Sequence, residues 1–341
     1  MNHSECYKVF TTIADIIFMR KYAILPLFLL VFLIFASPGF AVNKKTAKPV
    51  KNAAKVIEDP APKSYFVVNT STGTITKEKN AEFLIPPASL TKVLTMYIVL
   101  DALERGEVNL YDYVKISTNA CKADGTTMHL KPLTEVKLGD LILGMAIGSA
   151  NDAAVAIAEH VSGNVDDFVI RMNKQAQKLG MKNTTFVNPN GLPGKGAFTT
   201  ARDMAVLAHT YIFRFPWTLA AIHSHTSFTY NEITISSANR LLGKYPEVDG
   251  LKTGFTRASG YHIIVTAMKG SERYIIVVMG AGTHTKRNEE ASLLLDEVLE
   301  APLPLITIEP ASLPDQVKQV PPGKEAEPVT QKANLSTSEG H

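Results

Sequence analysis

Cysteine is scarce in this chain, and its scarcity excludes one way of holding a fold together. Of 341 residues only Cys6 and Cys121 are cysteines, so a disulfide framework cannot stabilise a small, loop-rich fold. Charge is nearly balanced as well, with a formal net charge of +3 and no basic stretch interleaved with aromatic residues. A nucleic-acid partner is therefore not expected. With 45% hydrophobic residues, the chain can build a sizeable globular core.

Both ends of the chain lack the composition of a folded domain. Residues 301–341 are rich in proline and contain no aromatic residue, which predicts a disordered tail and no C-terminal β-domain. At the other end, residues 42–63 are polar, rich in lysine and closed by prolines, which is typical of a flexible leader.

The first 41 residues have the pattern of a secretory signal. Arg20 and Lys21 precede an uncharged apolar run, and the small residues Gly39 and Ala41 follow it, as in the cleavage region of a signal peptide. Met19 is an alternative start, because signal peptides usually begin with a short basic segment. The alternative reading is a retained transmembrane anchor. Either way, residues 64–300 are expected to be exported as one domain.

Hydrophobic periodicity predicts an α+β fold for this body, with an antiparallel sheet flanked by helices and an all-helical subdomain inserted in the chain. The predicted strands, in chain order, are Ser64–Asn69 and Gly73–Lys77, then "GLKTGF", Tyr261–Met268 and Arg273–Gly280. The predicted helices are Leu90–Glu104, the apolar stretch Leu138–Val161, Val165–Leu179, Ala201–Phe213 and Thr285–Leu299.

Three short motifs carry the candidate chemistry, in the order "SLTK", "SAN" and "KTG". They begin at Ser89, Ser149 and Lys252. Residues three apart share one face of a helix, so Ser89 and Lys92 can come within hydrogen-bonding distance of each other. Burial and a second cation would lower the pKa of Lys92 and make its amine a usable base.

This ordered set resembles the active-site motifs of the serine penicillin-binding proteins and β-lactamases. The flanking segments "VDGLKTGFT", "GMKNTTFVNPNGL" and "TTARDMAVLAH" are similar to those of the low-molecular-mass D-alanyl-D-alanine carboxypeptidases. The resemblance implies a β-lactamase/transpeptidase-like fold and hydrolysis of peptidoglycan stem peptides, with β-lactams as inhibitors. It also implies a location in the periplasm or on the outer face of the cytoplasmic membrane of a bacterium, with membrane attachment only if the N-terminal segment is retained.

The resemblance also implies a role for each motif residue, without any metal or cofactor. Ser89 would be the nucleophile and Lys92 its base, while Ser149 would pass a proton to the leaving D-alanine. Asn151 would bind the substrate amide, Lys252 and Thr253 the terminal carboxylate. Gly254 would let the substrate lie along the sheet edge. The backbone N–H groups of Ser89 and Phe255 would form the oxyanion hole.

Related chemistries remain as alternatives. In class A β-lactamases a glutamate downstream of the middle motif drives deacylation, and this chain has no glutamate between Glu159 and Glu232. We therefore expect penicillin to inhibit the protein and not to be destroyed by it. A D,D-endopeptidase that cuts the D-Ala to diaminopimelate cross-link uses the same motifs, and an inactive cell-wall binding module is a further alternative.

Other polar residues receive structural interpretations. Three further S-x-N triplets, at Ser117, Ser162 and Ser237, have the wrong spacing for the middle motif, and Gly163 is expected to cap a helix. His223 and His225 lack the partners of a metal site and are predicted to be surface histidines. Arg202 and Asp203 are predicted to form an ion pair at a helix start.

Overall fold

A computed structural model describes residues 61–300 of the protein. The predicted signal, most of the leader and the proline-rich tail lie outside the described residues, so the predicted domain boundaries stay predictions. The strands are β1 (Ser64–Asn69), β2 (Ile75–Lys79), β3 (Tyr113–Lys115), β4 (Glu135–Lys137), β5 (Ser227–Tyr230), β6 (Ile233–Ser236), β7 (Val248–Thr256), β8 (Gly260–Lys269) and β9 (Glu272–Ala281). The α-helices are α1 (Lys92–Glu104), α2 (Thr118–Cys121), α3 (Leu138–Ile147), α4 (Asn151–Ser162), α5 (Val165–Lys178), α6 (Ala201–Arg214) and α7 (His284–Glu300).

The main sheet has five antiparallel strands in the order β2-β1-β9-β8-β7. Strands β7, β8 and β9 follow one another in sequence and in space, and they form part of the predicted antiparallel sheet. Among residues 61–300, strand β7, which carries the third motif, is therefore an edge strand with a sheet partner on one side only. An edge strand can accept an extended peptide by main-chain hydrogen bonds.

The sheet is buried on both faces, which explains why β8 and β9 are almost continuously apolar. Ile263 and Val265 of β8 pack in one hydrophobic cluster with Leu294 and Leu295 of α7. Their neighbour Ile264 belongs to the larger cluster on the other face, which contains the buried side chains of α1 and α6. Successive residues of a strand point to opposite faces, so both helical layers contact the same strands.

The predicted elements are confirmed, with shifts of a few residues at their ends. The long apolar stretch that begins at Leu138 is two helices, because the chain breaks between Ile147 and Asn151. The first two predicted strands, β1 and β2, pair as an antiparallel hairpin. Lys63 already donates its backbone N–H to the carbonyl of Met279, so pairing along the sheet begins before Ser64. Within residues 61–300, each helix is too short or too polar to cross a lipid bilayer.

Candidate active site

Ser89 lies in a short 3-10 turn, Ala88–Thr91, that leads directly into α1. Ala88 has a φ of 48°, in the left-handed region that residues other than glycine rarely occupy and that is often found at functional sites. Residues three apart are eclipsed in a 3-10 turn, so the side chain of Lys92 lies directly beside that of Ser89. The Lys92 Nζ to Ser89 Oγ distance is 3.0 Å.

The Lys92 amine is enclosed by oxygen atoms and shielded from water. Besides Ser89 Oγ, its Nζ contacts Asn151 Oδ1 at 2.7 Å and the backbone carbonyl of Asn190 at 2.6 Å. The side chain has no exposed surface. Burial lowers the pKa of Lys92 well below its ordinary value, the charge of Lys252 lowers it further, and the carboxylate of Asp152 acts in the opposite direction.

This arrangement fixes where the lone pair of a neutral Lys92 amine points. A neutral amine has two N–H donors and one lone pair, and the oxygens of Asn151 and Asn190 can only accept hydrogen bonds. The two N–H groups therefore point to these oxygens. The lone pair is left facing the hydroxyl of Ser89, which is the geometry that a general base requires.

Ser149 and Asn151 lie at the break between α3 and α4. Ser149 has a φ of 61°, and its Oγ accepts a hydrogen bond from Lys252 Nζ at 2.9 Å. Asn151 is the first residue of α4, and its side-chain nitrogen donates to the carbonyl of Asp124. The Asn151 amide thus links Lys92 to the neighbouring loop, a contact that the motif alone does not reveal.

Strand β7 brings Lys252 to Ser149. Lys252 is 4% exposed, and its Nζ also donates to the carbonyl of Thr253 at 2.8 Å. Burial lowers the pKa of Lys252 to about 7, and the positive charge of Arg287 contributes to the shift. The Lys252 amine therefore changes charge near neutral pH. Complete burial lowers the pKa of the Lys92 amine.

Gly254 brings the sheet edge against the nucleophile turn. A Cβ at this position would lie 3.1 Å from the backbone nitrogen of Ser89 and 3.2 Å from that of Leu90. The structure therefore gives Gly254 a reason that the sequence did not: the missing side chain allows β7 to pack beside Ser89. The next residue, Phe255, is half exposed, and its ring stacks on Tyr261 with the ring centroids 4.2 Å apart.

These residues meet at one cleft of about 510 Å³. The predicted site residues that line it are Ser89, Ser149, Asn151, Lys252, Thr253, Gly254 and Phe255. Lys92 lies behind the wall of the cleft and reaches it through Ser89 and Asn151. All eight predicted site residues are thus brought together. Their chemical roles remain proposals.

Asn190 and Gly191 are site residues that the motif search missed. Gly191 has a φ of 79°, and a Cβ there would lie 1.9 Å from the carbonyl oxygen of Ala88. Only glycine allows this approach, which places the carbonyl of Asn190 against Lys92. The "NPNG" turn in the sequence was the available signal, because Asn-Gly pairs favour positive φ.

Arg287, in the first turn of α7, is a second residue that sequence reasoning missed. It is 4% exposed and lines the cleft, and burial lowers its pKa to about 10. Its guanidinium contacts the side-chain oxygen of Asn288 and, at 3.4 Å, the carbonyl of Ala238. Within residues 61–300 no carboxylate forms a salt bridge with Arg287. The cleft thus offers an arginine to an anionic ligand.

Asp152 and His262 support the site from behind. The carboxylate of Asp152 accepts backbone hydrogen bonds from Met128 at 3.0 Å and Leu130 at 3.1 Å, which fixes the loop next to Asn151. His262 of β8 accepts from the N–H of Gly280, so its other ring nitrogen donates to the carbonyl of Pro86, just before the nucleophile turn. Burial lowers the pKa of His262 to about 4, which keeps the ring neutral.

The prediction that His223 and His225 are surface residues is wrong. His223 is 6% exposed, and its Nε2 lies 2.8 Å from the hydroxyl of Tyr211. Burial, and next the charge of Lys252, lower the pKa of His223 to about 3. His225 is partly buried. Within residues 61–300 no group of three or more histidine, cysteine, aspartate or glutamate side chains is placed to hold a metal ion.

Arg202 and Asp203 do mark a helix start, but they do not pair with each other. Arg202 contacts Glu82 at 2.5 Å and Glu78 at 2.7 Å. Asp203 donates its backbone N–H to the hydroxyl of Thr200, which is the N-cap of α6. The predicted structural role at the helix start is therefore correct, but Arg202 forms its ion pairs with Glu78 and Glu82 and not with Asp203.

The rejected S-x-N triplets have structural roles or different contacts. Ser117 is the N-cap of α2, and Gly163 ends α4 with a φ of 82°. Ser237 and Asn239 do line the cleft, but the side chain of Asn239 donates to the carbonyl of Gly250 and not to a residue of the nucleophile turn. Among the four S-x-N triplets, the hydrogen bonds to the two motif lysines come from Ser149 and Asn151.

Comparison with known proteins places this geometry in a family. A family model described as D-alanyl-D-alanine carboxypeptidase matches residues 49–283. The D-alanyl-D-alanine carboxypeptidase DacF of Bacillus subtilis is 38% identical over 239 residues, which are 69% of this chain and 61% of that protein. The chain thus spans about three fifths of the length of the first curated relatives that it matches.

Solved structures agree with this result. Penicillin-binding protein 5 of Haemophilus influenzae is 36% identical, with a TM-score of 0.67 and coverage of 72% of each chain. The ampicillin-bound form of penicillin-binding protein D2 from Listeria monocytogenes is 33% identical, with a TM-score of 0.64, over 69% of this chain and 96% of that one. The expected fold is confirmed, and the chain belongs to the D-alanyl-D-alanine carboxypeptidase family of serine peptidases.

Proposed function

We propose that this protein is a serine D,D-carboxypeptidase that removes the terminal D-Ala from peptidoglycan stem peptides. The observation that carries the proposal is the enclosed amine of Lys92, 3.0 Å from Ser89 Oγ. Its two other oxygen neighbours orient the lone pair of the neutral amine toward the serine. An ordinary helix-cap serine with a solvated lysine would not have this burial or these contacts.

The reaction begins with attack of Ser89 Oγ on the carbonyl of the D-Ala-D-Ala bond. Lys92 takes the hydroxyl proton, and the backbone N–H groups of Ser89 and Phe255 stabilise the oxyanion. The C–N bond then breaks. The proton that Lys92 took ends on the departing amine, with Ser149, hydrogen-bonded to Lys252, as the hydroxyl that passes it on. Water hydrolyses the ester, which releases the shortened peptide and restores the Ser89 hydroxyl.

The charges of the cleft select a substrate that ends in a carboxylate. Lys252, Thr253 and Arg287 all line the cleft, and we assign the terminal carboxylate to this group. Asn151 has a second side-chain N–H besides the one that holds Asp124, and we assign it to the substrate amide. A β-lactam carries a carboxylate at a comparable distance from its reactive carbonyl, so it would occupy the same place.

We also propose that β-lactams inhibit the protein. When a β-lactam ring opens, its amine stays tethered to the acyl group and remains in the cleft, whereas D-alanine departs and leaves room for water. Within residues 61–300 neither aspartate nor glutamate lines the cleft, so no carboxylate base is available to offset this obstruction. A structural neighbour from Listeria monocytogenes has been solved with ampicillin bound.

By family membership we further propose export to the cell envelope of a bacterium, directed by the signal in residues 1–41.

Release of D-alanine from a defined pentapeptide stem tests this proposal. The wild-type protein should release one D-Ala per peptide, and Ser89→Ala should release none while retaining the wild-type unfolding temperature. Ser237→Ala is a matched control, because Ser237 lines the same cleft without contacting Lys92. Failure of the folded wild-type protein to cleave the peptide, or to react with a fluorescent penicillin, would favour an inactive binding module.

A further inference from the structure

The catalytic cleft adjoins a small pocket at the turn between β7 and β8. This pocket has a volume of about 250 Å³. Phe255 and Tyr261 line both the pocket and the cleft, and their rings stack with the centroids 4.2 Å apart. The two cavities therefore share a wall of two aromatic rings, and a long ligand bound at Ser89 can extend past these rings into the pocket.

The pocket lies on the acyl side of the scissile bond. Strand β7 carries both Lys252, assigned to the terminal carboxylate, and Phe255, whose N–H is assigned to the scissile carbonyl. A substrate that follows this edge strand from its carboxylate to its scissile carbonyl continues toward Arg257, the first residue after β7. Two residues of a strand span about 7 Å. Arg257 therefore lies about two residues beyond the bond that is cut, beside the part of the stem peptide that stays on the enzyme.

A hydrogen-bonded turn holds Arg257 in this position. Thr256 pairs with Gly260 across the turn. The Thr256 Oγ1 atom lies 2.6 Å from Ser259 Oγ and accepts the backbone N–H of Ser259 at 3.1 Å. Ser259 is buried, whereas Arg257 is exposed. The backbone of the turn is thus anchored, and the Arg257 side chain is accessible to a ligand in the pocket.

The charged side chains that line the pocket are cationic. They are Lys63 and Arg257, and within residues 61–300 neither aspartate nor glutamate lines the pocket. The backbone of Lys63 is fixed, because its N–H donates to the carbonyl of Met279 and its carbonyl accepts from the side chain of Asn80 at 3.1 Å. Among the same described residues, no carboxylate forms an ion pair with Arg257. The pocket therefore matches a ligand group that carries a carboxylate.

We infer that this pocket binds a carboxylate on the acyl arm of the stem peptide, so that the protein prefers acidic stems to amidated ones. This inference rests on the proposed carboxypeptidase chemistry at Ser89. Arg257 forms the charge-assisted hydrogen bonds, and Lys63 adds a second positive charge. Two positions of a stem peptide can supply the carboxylate: D-isoglutamate in second place, and diaminopimelate in third place, where lysine has none.

Cleavage of three synthetic pentapeptides by the full-length protein tests this inference and distinguishes the two sources. The reference stem contains D-isoglutamine and lysine before its D-Ala-D-Ala end, so it has no carboxylate on the acyl arm. The second stem has D-isoglutamate in place of D-isoglutamine, and the third has diaminopimelate in place of lysine. We expect one or both acidic stems to exceed the reference about fivefold in kcat/KM, as one exposed ion pair allows, mainly through a lower KM. The stem that gains identifies the carboxylate that is bound.

Substitution of Arg257 shows whether the pocket causes this preference. Arg257→Gln should reduce the ratio of the two kcat/KM values to about one, because it removes the charge and the guanidinium donors. Arg257→Lys keeps the charge and should retain a ratio above about two. Lys131→Gln is the matched control. Lys131 is exposed and lines neither the cleft nor the pocket, and its substitution removes the same single charge, so the wild-type ratio should persist.

The outcomes separate this inference from the function on which it rests. Equal cleavage of the three stems by the wild-type protein would overturn the inference alone. So would a wild-type ratio in Arg257→Gln, or an equal fall of the ratio in Lys131→Gln, which would indicate a general effect of net charge. Cleavage of none of the three stems would overturn the proposed function as well.

Discussion

The two lysines of the site lie only a few side chains apart, yet their surroundings differ. Lys92, on the helix side, has no exposed surface and contacts three oxygens, two of which only accept hydrogen bonds. Lys252, on the strand side, lines the open cleft and has a pKa of about 7. We propose that these surroundings separate a base from an anchor: burial lowers the pKa of Lys92 well below its ordinary value, whereas Lys252 lines the cleft, where a substrate carboxylate can pair with its amine.

The largest expected effect comes from removing the base. Lys92→Met keeps the length and apolar volume of the side chain but has no lone pair to accept the Ser89 proton. Acylation by a fluorescent penicillin should slow by about a thousandfold. Lys252→Met should slow it by only about tenfold to a hundredfold, the value of one charged hydrogen bond. Equal losses in the two variants would contradict the distinction between base and anchor.

The two glycines that fit the site together provide the next comparison. Gly191→Ala, on the helix side, would meet the Ala88 carbonyl at 1.9 Å and has a positive φ. It should lower the free energy of unfolding by about 3 kcal/mol. Gly254→Ala, on the strand side, would meet its nearest atom at 3.1 Å and should cost about 1 kcal/mol. Urea denaturation measures the free energy of unfolding of both variants. A larger loss in Gly254→Ala than in Gly191→Ala would contradict the conclusion that Gly191 makes the tighter contact.

The pH dependence of acylation also tests the proposed roles of Lys92 as base and Lys252 as carboxylate anchor. The second-order rate constant for acylation should rise with pH as Lys92 loses its proton, and fall above about pH 7 as Lys252 loses the charge that binds the carboxylate. The decline should be about tenfold per pH unit. Lys252→Arg keeps its charge to higher pH, so it should move the alkaline limb upward. An alkaline limb that stays near pH 7 in this variant would show that another group titrates there.

The smallest effect is expected from a substitution in the buried Tyr211–His223 pair, which packs behind β7. Tyr211→Phe removes the hydroxyl that contacts His223 Nε2 at 2.8 Å and leaves a buried ring nitrogen without its partner. The free energy of unfolding should fall by about 1 kcal/mol, as measured by urea denaturation. The acylation rate should change by less than about threefold, because Tyr211 does not line the cleft. A larger kinetic effect would show that this pair positions Lys252.

Much of the site could be predicted because its chemistry resides in side chains with fixed spacing. The Ser89 and Lys92 pair follows from helical geometry, and the meander of β7, β8 and β9 follows from apolar strands separated by short turns. Sequence analysis did not identify Arg287, because the amphipathic pattern of α7 indicates only which apolar residues of the helix are buried. Its role depends on a tertiary contact with the cleft, which the residues around it do not encode.

Backbone groups and buried polar residues account for the other misses. The third oxygen around Lys92 is the carbonyl of Asn190, and a carbonyl has no side-chain signature in a sequence. His223 lies in the segment "HSH", which looks polar and exposed. It is buried because the π-helical turn of residues 219–223 packs against the inner side of β7. Sequence patterns locate regular elements well, but they do not reveal which face of an irregular turn the tertiary fold covers.

Mass spectrometry of the protein after reaction with benzylpenicillin tests the central claim most directly. If the amine of Lys92 activates Ser89, one penicilloyl group should appear per molecule, on the peptide that contains Ser89, and should persist after free drug is removed. Ser89→Ala should carry none, and Lys92→Met should acquire it far more slowly. A folded wild-type protein without the adduct, or an adduct on another residue, would contradict the account.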